Sequence, residues 1–289
     1  MHDPGVDIAT EEIALDFRCA GAQLFGILHR PVSSADTASS GVVIVVGGPQ
    51  YRAGSHRQFN TLARQLAARG VAVLRFDVRG MGDSEGEARA FTDSGDDIGA
   101  AIDCLMAHCP QLETVTLWGL CDGATAAGLY AGRDHRISGI ALLNPWVRTD
   151  SGLAQATLKH YYRDRLLQPA FWRKLVSGRF EPAAALRSAL ALVRTSRGAD
   201  AGTADKQALP ERLYDALAHF NGRVLLMLSS ADLTAREFAD LAGSTPAWRA
   251  LLARTTVTRH LIEGADHTCS RRGWHDQVVT TTHDWLVAQ

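Results

Sequence analysis

Thr114-Val115-Thr116-Leu117-Trp118-Gly119-Leu120-Cys121-Asp122-Gly123-Ala124-Thr125-Ala126-Ala127-Gly128-Leu129-Tyr130 is the stretch that decides the fold. Thr114 to Trp118 reads as a buried strand, and Ala124 to Tyr130 is small and helix-compatible. Between them stands Gly-x-Cys-x-Gly. A sharp strand-to-helix turn forces its central residue into a strained backbone, and glycines on both sides avoid collisions there. Such a turn lifts the Cys121 sulfur above the sheet edge and aims the positive end of the following helix at it. The plainer reading of Cys121 is a small buried thiol.

Working outward, seven more runs read as strands: Glu12 to Phe17, Ala22 to His29, Val42 to Val46, Val71 to Phe76, Ile137 to Leu143, Val224 to Leu228 and Val257 to Ile262. The first two suit an antiparallel hairpin turning near Gly21, and the short apolar runs suit central parallel strands covered on both faces. Apolar stripes at Phe59, Leu62 and Leu66, and at Ile98, Ile102 and Leu105, mark helices between them. A hairpin followed by alternating strands and helices predicts an α/β fold: a mostly parallel eight-stranded sheet with helices on both faces. From about Arg148 to Phe220 the alternation stops, leaving helix-like text with Tyr161, Tyr162, Phe171, Trp172 and Phe180. The expected organisation is a core of residues 1–147 and 221–289, with a helical cap inserted at 148–220.

The 289 residues can bury a large core. With 46% hydrophobic and 21% charged residues and a net charge of −1, the chain offers no electrostatic case for nucleic acid or an anionic membrane. The first residues are acidic where a signal peptide is basic, and no run approaches the roughly 18 apolar residues of a membrane helix. Five cysteines (Cys19, Cys104, Cys109, Cys121, Cys269), scattered without Cys-x-x-Cys spacing, argue against a disulfide framework and a structural zinc site. A reducing, cytoplasmic location is expected, with a small-molecule partner.

Acyl-transfer chemistry needs a nucleophile, a base, a group that orients the base, and donors for an oxyanion. With Cys121 as nucleophile, the base candidate is His267, in a glycine-bearing turn just after the last strand. His56 is its rival, although its position suits shaping a pocket. The acid candidate is Asp232, four residues beyond the Val224–Leu228 strand, where it can also cap a helix starting near Thr234. Asp150 is the second choice. Asp266 is adjacent to His267 and its side chain diverges from the ring. Oxyanion donors are expected from the backbone N–H of Asp122 and of Gln50, the first residue able to donate after Gly47-Gly48-Pro49. Gly47-Gly48 also suits a phosphate-cradling loop, but the Gly-Lys-Ser/Thr signature is missing.

Phe76-Asp77-Val78-Arg79-Gly80-Met81-Gly82-Asp83-Ser84 resembles the Asp-x-Arg-Gly-x-Gly-x-Ser turn that follows the fourth strand of α/β-hydrolases. With the cysteine elbow, the Gly-Gly-Pro-Gln loop, Asp232 and His267, the resemblance covers nearly the whole chain in the right order. Within that superfamily the chain resembles hydrolases associated with the exosortase (PEP-CTERM) system. The supporting text is Gly-Leu-Cys-Asp-Gly-Ala, Gly48-Pro49-Gln50-Tyr51-Arg52, Gly54-Ser55-His56-Arg57-Gln58-Phe59 and Pro169-Ala170-Phe171-Trp172-Arg173-Lys174-Leu175. The resemblance implies a Cys121–Asp232–His267 triad with no metal and no organic cofactor, acting on esters or thioesters. Tyr51, His56, Tyr161, Phe171 and Trp172 are the candidates for the substrate pocket. Acyl transfer to another acceptor, non-catalytic binding of a lipid or protein, and redox sensing through Cys269 stand as alternatives.

Overall fold

The structure is a computed structural model that describes residues 8–33, 35, 38–47, 50–148 and 208–288. Strands β1 (Thr10–Cys19) and β2 (Ala22–Pro31) form an antiparallel hairpin. Ala20 and Gly21 turn it, both at positive φ (47° and 88°). Two left-handed residues match the twist of the strands they join, and glycine takes such a position without a Cβ clash. The hairpin adds antiparallel to β4 (Val73–Phe76). From there β3 (Ser40–Val45), β5 (Thr114–Leu120), β6 (Ile137–Leu143), β7 (Arg223–Ser229) and β8 (Val257–Ile262) continue in parallel. The sheet therefore has eight strands in the order β1-β2-β4-β3-β5-β6-β7-β8, as the apolar runs predict.

Seven α-helices are described: α1 (Gln58–Ala67), α2 (Gly95–His108), α3 (Asp122–Tyr130), α4 (Leu209–His219), α5 (Leu233–Ser244), α6 (Pro246–Leu252) and α7 (Arg272–Val287). Every residue of β3 and β4 is buried, as central parallel strands require. On one face Phe59, Leu62 and Leu66 of α1, with Val278, Val279 and Trp285 of α7, close over Val42, Ile44, Val73 and Leu143. Trp118 joins them edge-on to Phe59, at 5.9 Å between ring centroids, and its Nε1–H donates to Thr282 Oγ1 at 3.3 Å. Helix α2 packs against β1, β3 and β4, and α3 against β3, β5 and β6. The chain divides into two compact units, Met1–Trp146 with Leu213–Gln289, and Val147–Arg212. Residues 149–207, with most of the expected cap, lie outside the described residues, as do Asp150, Tyr161, Phe171 and Trp172. Helix α4 lays Leu213 on α3, where a Cβ at Gly128 would stand 2.8 Å from it.

Strand order reverses between β3 and β5: the chain leaves β3 toward β4 and leaves β5 toward β6. Connections diverging in this way open a crevice at the carboxyl ends of the two strands. The loop carrying Gly47 and Gln50 and the elbow carrying Cys121 both begin there. The glycines make the close approach possible. A Cβ at Gly119 would stand 2.5 Å from Ala124 N, and one at Gly123 2.4 Å from Val45 O. Both obstacles are backbone and cannot swing aside. Gly119→Ala is therefore expected to lose about 3 kcal/mol of stability, measured as a fall in unfolding midpoint. Gly132→Ala, whose Cβ would meet open space, serves as the unaffected control.

Candidate active site

Cys121 sits at the junction of β5 and α3 with φ 60° and ψ −124°, a conformation that side-chain-bearing residues avoid and that costs on the order of 1–3 kcal/mol. The surroundings hold it there. Its N–H donates to Leu143 O at 2.9 Å, while its carbonyl accepts from Thr125 N at 3.1 Å and Trp146 N at 3.2 Å. The thiol belongs to a residue only 8% exposed and lies near enough to His267 to raise the proton affinity of its ring.

Asp232 follows β7 and caps α5, accepting from Ala235 N at 3.0 Å. The same carboxylate oxygen accepts from His267 Nδ1–H at 3.0 Å. Since Nδ1 faces the acid, Nε2 is the ring nitrogen left for Cys121. The structure thus brings three sequence candidates from three loops together, with Asp232 bonded to His267 and Cys121 beside the same ring. Burial works against ionisation of Asp232, but the hydrogen bond and charge of His267 and the N–H groups of Ala235 and Thr234 hold it below the usual carboxylate range. Asp266 does a different job: it accepts from Thr268 N (3.2 Å) and Ser270 N (2.9 Å), shaping the turn that carries His267.

The bond to Asp232, then the neighbouring Cys121, pushes His267 up to about 10 against the opposing effect of burial. Because its folded value lies above the ordinary 6.5, the stability from this charge is fully present below about pH 6.5 and is lost as pH rises toward about 10. The imidazolium is expected to persist through neutral pH. Ring nitrogen shifts of His267 in ¹⁵N-labelled protein should stay flat from about pH 6 to 8, whereas an ordinary histidine titrates there.

Sequence reasoning missed the residue that ties the acid and base loops together. Asn144, fully buried at the end of β6 with φ 48°, donates through Nδ2 to Ser229 Oγ and to His267 O, both at 3.0 Å. Its Oδ1 accepts from Ser229 N at 2.8 Å. A polar residue closing the apolar Ile137–Leu143 run was the available signal. Of the expected oxyanion donors, Asp122 opens α3, where the first amides of a helix have no intrahelical acceptor. Gln50 stands in the loop after β3, and its N–H has no partner among the described residues. A Cβ at Gly47 would lie 2.1 Å from Asp122 Oδ1, so only glycine lets this loop lie against the elbow.

Tyr51 and His56, expected at a pocket, have different surroundings. The Tyr51 hydroxyl donates to Asp83 at 2.9 Å. His56, exposed and left-handed at φ 54°, lines a cleft of about 410 Å³ with Gln58, Thr268, Cys269, Arg272 and His275. His56 makes no bond to Asp232. A smaller hollow of about 200 Å³ adjoins the elbow, lined by Val46, Gly47, Met81, Phe91 and Asp122 among others. No group of three or more metal-ligating side chains occurs among the described residues.

A cysteine on a strained strand-to-helix elbow, followed in the chain by an acid and then a histidine, at the crossover of a sheet of this order, defines the α/β-hydrolase class. Within it, residues 37–268 match the family model described as serine aminopeptidase, S33, and the chain belongs to that family. It is accordingly a hydrolase-family protein. No curated protein sequence matches the chain significantly. Solved structures share its fold at low identity. The Pyrococcus furiosus esterase Pf2001 is 14% identical with a TM-score of 0.62, covering 96% of this chain and 92% of that one. A dienelactone hydrolase from Anabaena variabilis is 15% identical with a TM-score of 0.59, covering 96% and 97%. Est1E from Butyrivibrio proteoclasticus, solved with ferulic acid bound, is 17% identical with a TM-score of 0.62, covering 96% and 99%.

Proposed function

We propose that this protein hydrolyses carboxylic esters or thioesters through a covalent acyl-enzyme on Cys121. One observation carries the reading: His267 bonds the Asp232 carboxylate through Nδ1 and neighbours the Cys121 thiol. Cys121 sulfur attacks the substrate carbonyl and its proton resides on His267. The N–H groups of Gln50 and Asp122 hold the developing oxyanion, and His267 then protonates the leaving group. Water, activated by the same ring, attacks the thioester carbon and releases the acid, returning the proton to the thiol–imidazole pair. Asp232 orients the ring and stabilises its charged form. A thiol in the serine's place performs the same acyl chemistry by way of a thioester.

Segment 148–220 is proposed as a helical cap insertion, with Tyr161, Phe171 and Trp172 as candidate substrate-pocket residues on sequence position alone. The elbow and loop text support placement among exosortase-associated hydrolases. Unpaired cysteines support a cytoplasmic setting, and no described helix is long and apolar enough to cross a membrane.

The test is hydrolysis of p-nitrophenyl acetate, butyrate and octanoate, with intact-mass detection of the acylated protein. Turnover with an acyl adduct on Cys121 is the expected result, and the trend along the series sizes the pocket. A burst without turnover would indicate acyl transfer to another acceptor. The absence of both burst and turnover would sink the catalytic reading.

A further inference from the structure

The Asp77 turn has no place in the triad, yet it braces the loop that follows Gln50. Asp77 is fully buried just beyond β4. Its carboxylate accepts from the backbone N–H of Arg52 at 2.7 Å, from Asp83 N at 3.1 Å and from the Arg52 guanidinium. That guanidinium also reaches Asp83 at 2.8 Å and lies 4.3 Å above the Tyr51 ring, whose hydroxyl bonds the same Asp83. The Arg52 carbonyl receives Arg75 Nη1 at 3.4 Å, and Arg75 is itself braced by His29 Nε2 and Asn60 Oδ1, both at 2.8 Å. Gly82 must be glycine for this to fit, since at φ 54° its Cβ would stand 2.3 Å from the Asp77 carboxylate.

Directly or through Asp77, Asp83 and Arg75, these bonds brace residues 51 and 52, immediately after the proposed oxyanion donor Gln50. A buried ion pair is a poor way to gain stability, because desolvation offsets most of the attraction. It is an effective way to fix a backbone, because the charges tolerate no other arrangement. Oxyanion stabilisation depends on donors that are already in place when charge develops. A loop whose N–H is open at residue 50 and whose next two residues are clamped to the sheet meets that requirement.

We propose that the Arg52–Asp77 ion pair is a positioning clamp for the oxyanion loop, holding the Gln50 N–H for the transition state without touching substrate. The proposal rests on Cys121 being the nucleophile. Its test compares two reactions of that sulfur. Acylation by p-nitrophenyl acetate forms an S–C bond at a carbonyl, develops an oxyanion and expels p-nitrophenolate. Alkylation by iodoacetamide forms an S–C bond at a saturated carbon, develops no oxyanion and expels iodide.

Arg52→Met is expected to slow acylation about 100-fold, the scale of a displaced or missing donor, while alkylation stays within about twofold of wild type. Arg52→Lys, which keeps the charge, should recover part of the acylation rate. Arg52→Met combined with Asp77→Asn removes both charges at once, so it reports even if the single variant fails to fold through its orphaned carboxylate. Acylation at the wild-type rate in a folded variant would overturn the clamp and leave the triad reading intact. Acylation and alkylation falling together would reduce the pair to a structural role, also overturning it. Wild-type protein that is never acylated at Cys121 would sink the catalytic reading, and the clamp with it.

Discussion

Cys121→Ala is expected to lower p-nitrophenyl ester turnover by about 10⁵- to 10⁶-fold, the scale seen when an acyl-transfer nucleophile is removed. The covalent route vanishes with the sulfur. What remains is water reacting at the ester carbonyl beside the proposed oxyanion donors, and such residual catalysis is about 10³- to 10⁴-fold over solution. The loss should not come from unfolding. Alanine keeps the Cβ, so the positive φ at position 121 stays as strained as before, and the bonds to Leu143, Thr125 and Trp146 involve only backbone atoms of that residue. The check is turnover of purified variant and wild type at matched concentration, with unfolding curves alongside. Undiminished turnover in the variant would rule out Cys121 as nucleophile.

Asp232→Asn is expected to cost about 10³- to 10⁴-fold in kcat, because an amide neither holds the required imidazole tautomer nor stabilises its charged form. Removing the largest cause of the raised His267 value should also return that ring toward ordinary histidine behaviour. Asp232 has two duties, which the choice of substitution separates. Asparagine is as good an N-cap as aspartate, so the bond to Ala235 survives and the unfolding midpoint should barely move. Asp232→Ala loses the cap as well, at a further cost of about 1 kcal/mol. Paired kcat and denaturation measurements on both variants check this. An asparagine variant with near-wild-type kcat would remove Asp232 from the mechanism.

Each part of this protein read from sequence is a local feature. All eight strands appear in the sheet: the central ones are apolar runs because both their faces are buried, while edge strand β1 shows the alternation of a half-exposed strand. Cys121 announces itself through its flanking glycines, which a sharp turn needs. Asp232 and His267 were found by where they stand after strands that end at the same sheet edge. The supporting residues left no such trace. Arg52 and Asp77 are 25 positions apart, Asn144 and Ser229 85, and Asn144 and the His267 carbonyl 123. No periodicity or spacing rule links positions so distant.

By itself, then, the sequence determined the strand–helix alternation, the elbow and the types of residue available for chemistry, since these follow from backbone sterics and hydrophobic period over a few neighbours. Only the tertiary structure decided that Asp232 faces His267 while His56 lines a separate cleft. Only the tertiary structure brought Arg52 to a buried Asp77 and spanned two loops with Asn144. Those choices depend on which charged and polar groups meet once water is excluded. Their cost or benefit exists only in the packed, low-dielectric interior that the whole chain creates.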